Sequence, residues 1–211
     1  CFIFCLMDHN NILAVVLAGG KSIRFGSDKS QVKLGDKILI NYILTEILDI
    51  YKDILIVTNE PIKFLDSNKI SLTSDIKKGL GPLGGVFSAM KWVKDNRKHY
   101  KWISTFPIDT PFFKKEHLSK FYKEINFDKS NLFFMKSKNT RHNIFGLWSL
   151  ELFEKLELAL KKGDRKVELW ANEIGVKTID FEHENNKDPF FNINTEEELE
   201  IAKKLLKNDK L

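Results

Sequence analysis

The first segment able to do chemistry is Leu17-Ala18-Gly19-Gly20-Lys21-Ser22-Ile23-Arg24-Phe25-Gly26-Ser27-Asp28-Lys29, entered directly from the apolar run Ile12 to Leu17. Glycines in that position let backbone N–H groups approach phosphate oxygens closely. Arg24 offers a planar fork and Lys29 a point charge, so together they can neutralise a triphosphate. Two familiar phosphate motifs do not fit. Gly20-Lys21-Ser22 is like the end of a P-loop, but Val15 stands where that motif needs its first glycine, and G-x-G-x-x-G is absent. A double glycine alone favours a tight strand-to-helix turn. Arg24, Gly26 and Lys29 in one frame tip the balance to phosphate binding.

A carboxylate follows another apolar run. Asp109 stands between Pro107 and Pro111, after Trp102 to Phe106. In an open α/β sheet the carboxyl end of a strand faces the ligand crevice. Mg²⁺ takes oxygen ligands, often one or two carboxylates plus substrate phosphates. Asp109 is thus the candidate metal ligand, against the plainer alternative that it only turns the chain. Asn192 and Asn194, after Phe190-Phe191, could hold substrate or metal-bound water, or serve turn chemistry. Lys161, Lys162, Arg165 and Lys166 could take a second phosphate or form a solvated face. His142 by itself is uninformative. No Cys-His or Ser-His-Asp constellation points to a protein nucleophile.

These residues need elements to position them. Ile12 to Leu17 and Ile54 to Val57 read as strands buried on both faces, as in a parallel sheet. Trp102 to Phe106 is a further strand, Asn131 to Met135 and Val176 to Phe181 are strand-like, and Ile70 to Leu72 is a short one. Helical spacing covers Ile38 to Ile50, Lys115 to Ile125, Leu150 to Leu160 and Arg165 to Asn172. Gly79 to Gly85 reads as a loop leading into a helix through Trp92 and Val93. Thr195 and Glu198 form a capping box before a last helix, with Leu199, Ala202 and Leu205 or Leu206 as its apolar stripe. Strands alternating with helices predict a βαβ-built sheet.

At 211 residues the chain suits one domain. With 43% apolar and 30% charged residues it has material for a core, which excludes a disordered chain. No apolar run approaches the ~18 residues of a membrane span. Two cysteines cannot build a disulfide framework, so a reducing, cytoplasmic location is expected. The net charge of +5 comes from lysines interleaved with acids, which reads as a solvated surface rather than a nucleic-acid patch and would suit phosphorylated substrates. Cys1 to Leu6 lacks the basic segment and cleavage site of a signal peptide. Residues 1–11 are expected to lie outside the domain, with Met7 as the natural start, and the domain to span 12–211.

The frame Leu-Ala-Gly-Gly-x-Ser-x-Arg-x-Gly-x-Asp-Lys resembles the signature of the molybdenum cofactor guanylyltransferases, the MobA family, among the nucleotidyltransferases that activate sugars and alcohols with NTPs. Phe25 replaces a common Met. Asp75 before Gly81-Pro82-Leu83-Gly84-Gly85 is similar to the family's acidic residue and Gly-Pro-Leu-Ala-Gly turn. Pro107-Ile108-Asp109-Thr110-Pro111 matches Pro-x-Asp-x-Pro, Gly163-Asp164-Arg165-Lys166 a late basic segment, and Asn192-Ile193-Asn194-Thr195 the Asn-x-Asn-Thr element. Glu196 stands where Pro is frequent, and His142-Asn143 where His-Pro is usual.

The resemblance implies a single-domain, three-layer, Rossmann-like nucleotidyltransferase fold with a mostly parallel sheet. It implies GTP, Mg²⁺ and molybdopterin, whose terminal phosphate attacks the α-phosphorus and expels pyrophosphate. Arg24, Lys29 and Asp109 become the catalytic residues, with Asp109 on the metal. Leu17, Ala18, Gly19, Gly20, Lys29, Asp75, Gly81, Pro82, Leu83, Asp109, Asn192 and Asn194 become the binding set, Asp75 accepting from guanine or ribose. No nucleic acid or membrane is implied, but transient contact with molybdenum-cofactor biosynthesis proteins or acceptor molybdoenzymes is. The alternatives are a cytidylyl- or sugar-phosphate nucleotidyltransferase, or a non-catalytic nucleotide-binding module. Gly20, Gly81-Pro82-Leu83 and Pro107-x-Asp109 resemble the guanylyl branch, and a module would have lost Lys29 or Asp109.

Overall fold

The computed structural model describes residues 9–19, 32–77, 79–96, 98–181 and 188–208. Gly20, Arg24 and Lys29, with Cys1, Cys5 and Met7, lie outside them. The strands are β1 (Ile12–Leu17), β2 (Lys33–Leu34), β3 (Lys37–Ile38), β4 (Ile54–Val57), β5 (Ile70–Thr73), β6 (Trp102–Pro107), β7 (Leu132–Ser137), β8 (Thr140–Ser149) and β9 (Lys177–Phe181). The helices are α1 (Leu39–Ile47), α2 (Gly81–Asp95), α3 (Lys115–Glu124), α4 (Phe153–Lys162), α5 (Val167–Ile174) and α6 (Glu196–Asn208). No helix among the described residues is long and apolar enough to cross a membrane.

The main sheet runs β5-β4-β1-β6-β8-β7-β9. Every pairing in it is parallel except those of β8, which opposes both β6 and β7. Strand alternation sends Ile12, Ala14 and Val16 to one face and Leu13 and Val15 to the other. Leu44 of α1 and Phe121 of α3 join the first core, while Met90 of α2, Leu156 of α4 and Trp170 of α5 join the second. Two helical layers therefore sandwich the sheet, which explains why β1 and β4 are apolar throughout. A smaller core of Val32, Leu34, Leu39, Phe112, Ile193 and Ala202 is packed by Leu199, Leu205 and Leu206, the stripe expected for α6.

From β1 the chain moves outward to β4 and β5, then returns to β6 on β1's other side. The strand order reverses there, and in such sheets ligands bind beyond the carboxyl ends at the reversal. One expectation changes, and two further elements are ones the sequence does not show. Gly81 to Gly85 is not loop but the first turn of α2, with Pro82 where a missing N–H costs nothing. Arg141-His142-Asn143 lies on β8, whose polar first half hides its strand character. The two-residue strands β2 and β3 form a hairpin too short to show a period.

Candidate active site

Leu17 and Pro107 are paired across β1 and β6. Gly19 and Asp109 each lie two residues beyond that pair, on adjacent parallel strands. Asp75 lies two residues beyond β5 on the same edge. A Cβ on Gly19 would come within 3.2 Å of Asp75 Oδ2, tighter than ordinary contact, so glycine lets the backbone pass near the carboxylate without displacing it. From the other side Gly85 of α2 faces it, with a Cβ position 3.6 Å from Asp75 Oδ1 and 3.1 Å from Leu17 Cδ2.

Asn59 holds Asp75 at two points. Its Nδ2 donates to Asp75 Oδ2 at 2.8 Å, and its Oδ1 accepts from the Asp75 backbone N–H at 3.0 Å. The next residue is anchored too, because Ile76 N–H donates to Ser88 Oγ at 3.0 Å while that hydroxyl donates to the Gly84 carbonyl at 2.8 Å. Asp75 Oδ1 is buried and has no hydrogen-bond partner among the described residues. Burial raises the Asp75 pKa, and the bond from Asn59 opposes the rise only in part. A carboxylate held this way is fixed in orientation, with one oxygen bonded and the other buried without a partner among the described residues. In the sequence Asn59 reads only as the end of a strand. Its place two residues past β4, on the carboxyl edge, is the signal that could have found it.

Beside Asp75, α2 starts with no side-chain cap and no acidic residue in its first turn. The positive end of the helix dipole there favours an electron-rich group. Leu83 is fully buried and fixes the turn, while Gly81 and Pro82 are exposed. The position of a Gly81 Cβ would be 3.5 Å from the Arg165 carbonyl, so the Gly163 to Lys166 segment reaches this turn. The Arg165 guanidinium donates to the carbonyls of Leu160 and Asp164.

Asp109 is half-buried, and its carbonyl accepts from Ile193 N–H at 2.9 Å. That bond brings the segment with Asn192 and Asn194 to the end of β6. Asn192 is exposed and Asn194 half-buried. The capping box holds: Thr195 Oγ1 accepts from Glu198 N–H at 3.2 Å, and Glu198 Oε2 accepts from the Asn194 and Thr195 amides. On the exit side, Glu46 of α1 accepts from the Lys115 amide and meets Lys114 Nζ, both at 3.0 Å, which fixes the start of α3 after Asp109. The structure thus gathers Leu17, Ala18, Gly19, Asp75 and the start of α2 on one side, and Asp109 with the 192–194 segment on the other. No group of three or more His, Cys, Asp or Glu among the described residues could hold a metal by itself. A metal shared between Asp109 and ligand phosphates fits this donor set.

Glycine-lined strand ends at a point of strand reversal, two carboxylates and an uncapped helix start define a nucleotide-binding α/β protein. Residues 14–174 match the model of the MobA-like NTP transferase domain, and the chain belongs to that family. It is 31% identical over 207 residues to a molybdenum cofactor guanylyltransferase of Rhizobium rhizogenes, covering 95% of each chain. It is 30% identical to one from Haemophilus influenzae, covering 89% of this chain and 95% of that protein. Among solved structures, molybdopterin-guanine dinucleotide biosynthesis protein A of Archaeoglobus fulgidus superposes with a TM-score of 0.72 at 23% identity, over 93% of this chain and 99% of that one. The 2-C-methyl-D-erythritol 4-phosphate cytidylyltransferase of Francisella tularensis gives 0.67 at 16% identity, over 91% and 98%. Guanylyl and cytidylyl enzymes share this fold, so the fold alone does not choose the base.

Proposed function

We propose that the protein transfers GMP from GTP to the terminal phosphate of molybdenum-bearing molybdopterin, giving the guanine dinucleotide cofactor and pyrophosphate. The observation that carries the choice of base is Asp75, an oriented carboxylate beside a glycine-lined wall, with one buried oxygen that has no partner among the described residues. The guanine edge offers two adjacent donors, N1–H and the N2 amino group, which a carboxylate accepts together. Cytosine offers one donor next to an acceptor that a carboxylate repels.

The remaining roles follow from charge. The N–H groups at Gly19 and Gly20 and at the start of α2 would cradle phosphate and ribose, with Arg24 and Lys29 balancing triphosphate charge. Asp109 would hold Mg²⁺ together with the phosphates, with Asn192 and Asn194 beside it. When bound there, the ion neutralises phosphate charge and stabilises the transition state. A terminal phosphate oxygen of molybdopterin forms a new bond to the α-phosphorus. The bond from that phosphorus to the β-bridging oxygen breaks, and its electrons leave with pyrophosphate. Such transfer depends on alignment and charge neutralisation rather than on a protein nucleophile. Pyrophosphate release should be measured with GTP, CTP, ATP and UTP, with and without molybdopterin. Release with GTP only when molybdopterin is present is the expected result, and release driven by CTP overturns the reading.

A further inference from the structure

β8 changes course opposite the carboxyl edge. Phe134 of β7 faces Gly146, but the next β7 residue, Met135, faces His142, so Asn143, Ile144 and Phe145 are looped out of that ladder. Pairing between β6 and β8 ends at Thr105 and Gly146. Side chains build this bulge. The buried Thr105 hydroxyl donates to the Ile144 carbonyl at 2.6 Å and accepts from the Trp148 indole N–H at 2.8 Å. Gly146 is needed because a Cβ there would lie 2.2 Å from Cδ1 of Phe134. Bulges of this kind bend a strand and re-aim its side chains.

The re-aimed side chains meet the end of β6. Phe145 stacks on Phe113, with ring centroids 4.7 Å apart, and meets Phe190 edge-on at 5.1 Å. His142 lies flat on Phe190, centroids 4.1 Å apart and planes 16° from parallel. Its Nε2 shares a 2.7 Å hydrogen bond with the Ser137 hydroxyl, which sets the rotation of the imidazole. Phe190 N–H donates to Asp188 Oδ1 at 2.9 Å, and three residues later Ile193 N–H reaches the Asp109 carbonyl. Asn192 and Asn194 flank Ile193. The segment beside the metal carboxylate is therefore fixed by a main-chain bond at Ile193 and by rings at Phe190.

We propose that His142 is a positioning residue for the transfer step. The face of its ring, locked by Ser137, clamps Phe190 and so holds the Asn192–Asn194 segment against Asp109. The claim rests on the reading of Asp109 as the metal carboxylate. It assigns the work to the ring plane, not to a proton on the imidazole, so phenylalanine can replace it and alanine cannot.

The test compares wild type with His142→Ala, His142→Phe and Ser137→Ala. Amide hydrogen exchange at Ile193 reads the position of the segment without any reaction. Pyrophosphate release reads kcat, the KM for GTP and the Mg²⁺ midpoint. A misplacement near 1 Å can cost up to ~100-fold in rate, so His142→Ala should lower kcat about tenfold, raise the Mg²⁺ midpoint, leave the GTP KM within about twofold and speed Ile193 exchange. His142→Phe keeps the ring but loses the Ser137 bond, so it should recover kcat and Ile193 protection to about the level of Ser137→Ala and well above His142→Ala. Ser137→Ala, which keeps the ring, should show the same pattern more weakly and serves if His142→Ala does not fold. Unchanged kcat and Ile193 exchange in the alanine variants overturn the proposal. So does a folded His142→Phe as impaired as His142→Ala, which would put the function on an imidazole nitrogen. A parallel loss of kcat, GTP affinity and melting temperature also overturns it, as a general folding defect. If wild type releases no pyrophosphate, the reaction assignment fails and Ile193 exchange alone decides the clamp.

Discussion

On the β5–β4–β1 side of the crevice, Gly19 and Gly85 bring backbone up to the Asp75 carboxylate, and Asn59 sets its angle. On the β6–β8–β7 side, Asp109 and the 192–194 segment are held by Phe113, Phe145, Phe190 and His142 around a bulged strand. The first side works through close backbone approach and one two-point side-chain bond, the second through the packing of rings. An added methyl group crowds the first side at Gly19 or Gly85 and clashes outright at Gly146 on the second, which also fails through loss of ring bulk or of one buried hydrogen bond. The first side would choose the ligand, and the second would align the reacting phosphates.

The sharpest way to separate the two sides is Asp109→Asn. It keeps the size and removes one charge, so turnover should fall about 100-fold or more, as for the loss of one oriented electrostatic partner in other enzymes. GTP affinity should change far less, because Asp75 and the glycine loop remain. Unchanged turnover with an unchanged Mg²⁺ midpoint would remove Asp109 from the metal site.

Asp75→Asn should strike the other side. Hydrogen bonds to charged groups contribute ~1.5–3 kcal/mol, so GTP affinity should fall about 10- to 100-fold, with less discrimination against the other nucleotides in equilibrium titrations. Because burial raises the Asp75 pKa, wild-type GTP binding should weaken with falling pH above the ordinary carboxylate range. The asparagine variant should lack that limb. The sign for folding is opposite. The folded protein holds this proton more tightly than the unfolded chain, so the group's contribution to stability is full below the unfolded pKa and is lost as pH rises through the folded value.

Thr105→Val is the mildest. It leaves the Trp148 indole N–H and the Ile144 carbonyl without their bonds at the bulge, at a cost of ~1–3 kcal/mol. In a domain of this size each kcal/mol lowers the melting temperature by ~2–4 °C. Turnover should fall modestly with it while GTP affinity holds. A larger loss of GTP affinity than of turnover would show that the two sides are not independent.

The strands and caps that lead to the crevice were legible in the sequence. Parallel strands buried on both faces must be apolar throughout, so Ile12 to Leu17 and Ile54 to Val57 declare themselves, as does the Thr195 and Glu198 capping box. Motifs such as Gly19-Gly20 and Pro107-x-Asp109 are local, with chemistry and spacing carried by a few neighbouring residues. Asn59 was not visible, because its partner Asp75 is 16 residues away and only the sheet order brings the two together.

β8 shows the limit most clearly. Its first half, Thr140 to Asn143, is polar, and its ladder with β7 is interrupted by three looped-out residues, so no period of two survives along it. Glycine at 146 is intelligible only once Phe134 lies over it, and His142 acquires a role only when Phe190, 48 positions later in the chain, stacks on it. Composition and local pattern determined the layers and the apolar strands that end just before Gly19 and Asp109, because each follows from a residue's own burial or from near neighbours. The clamp on Asp75 and the ring cluster beside Asp109 were decided by tertiary contact, because a stack or a two-point hydrogen bond depends on where distant residues meet.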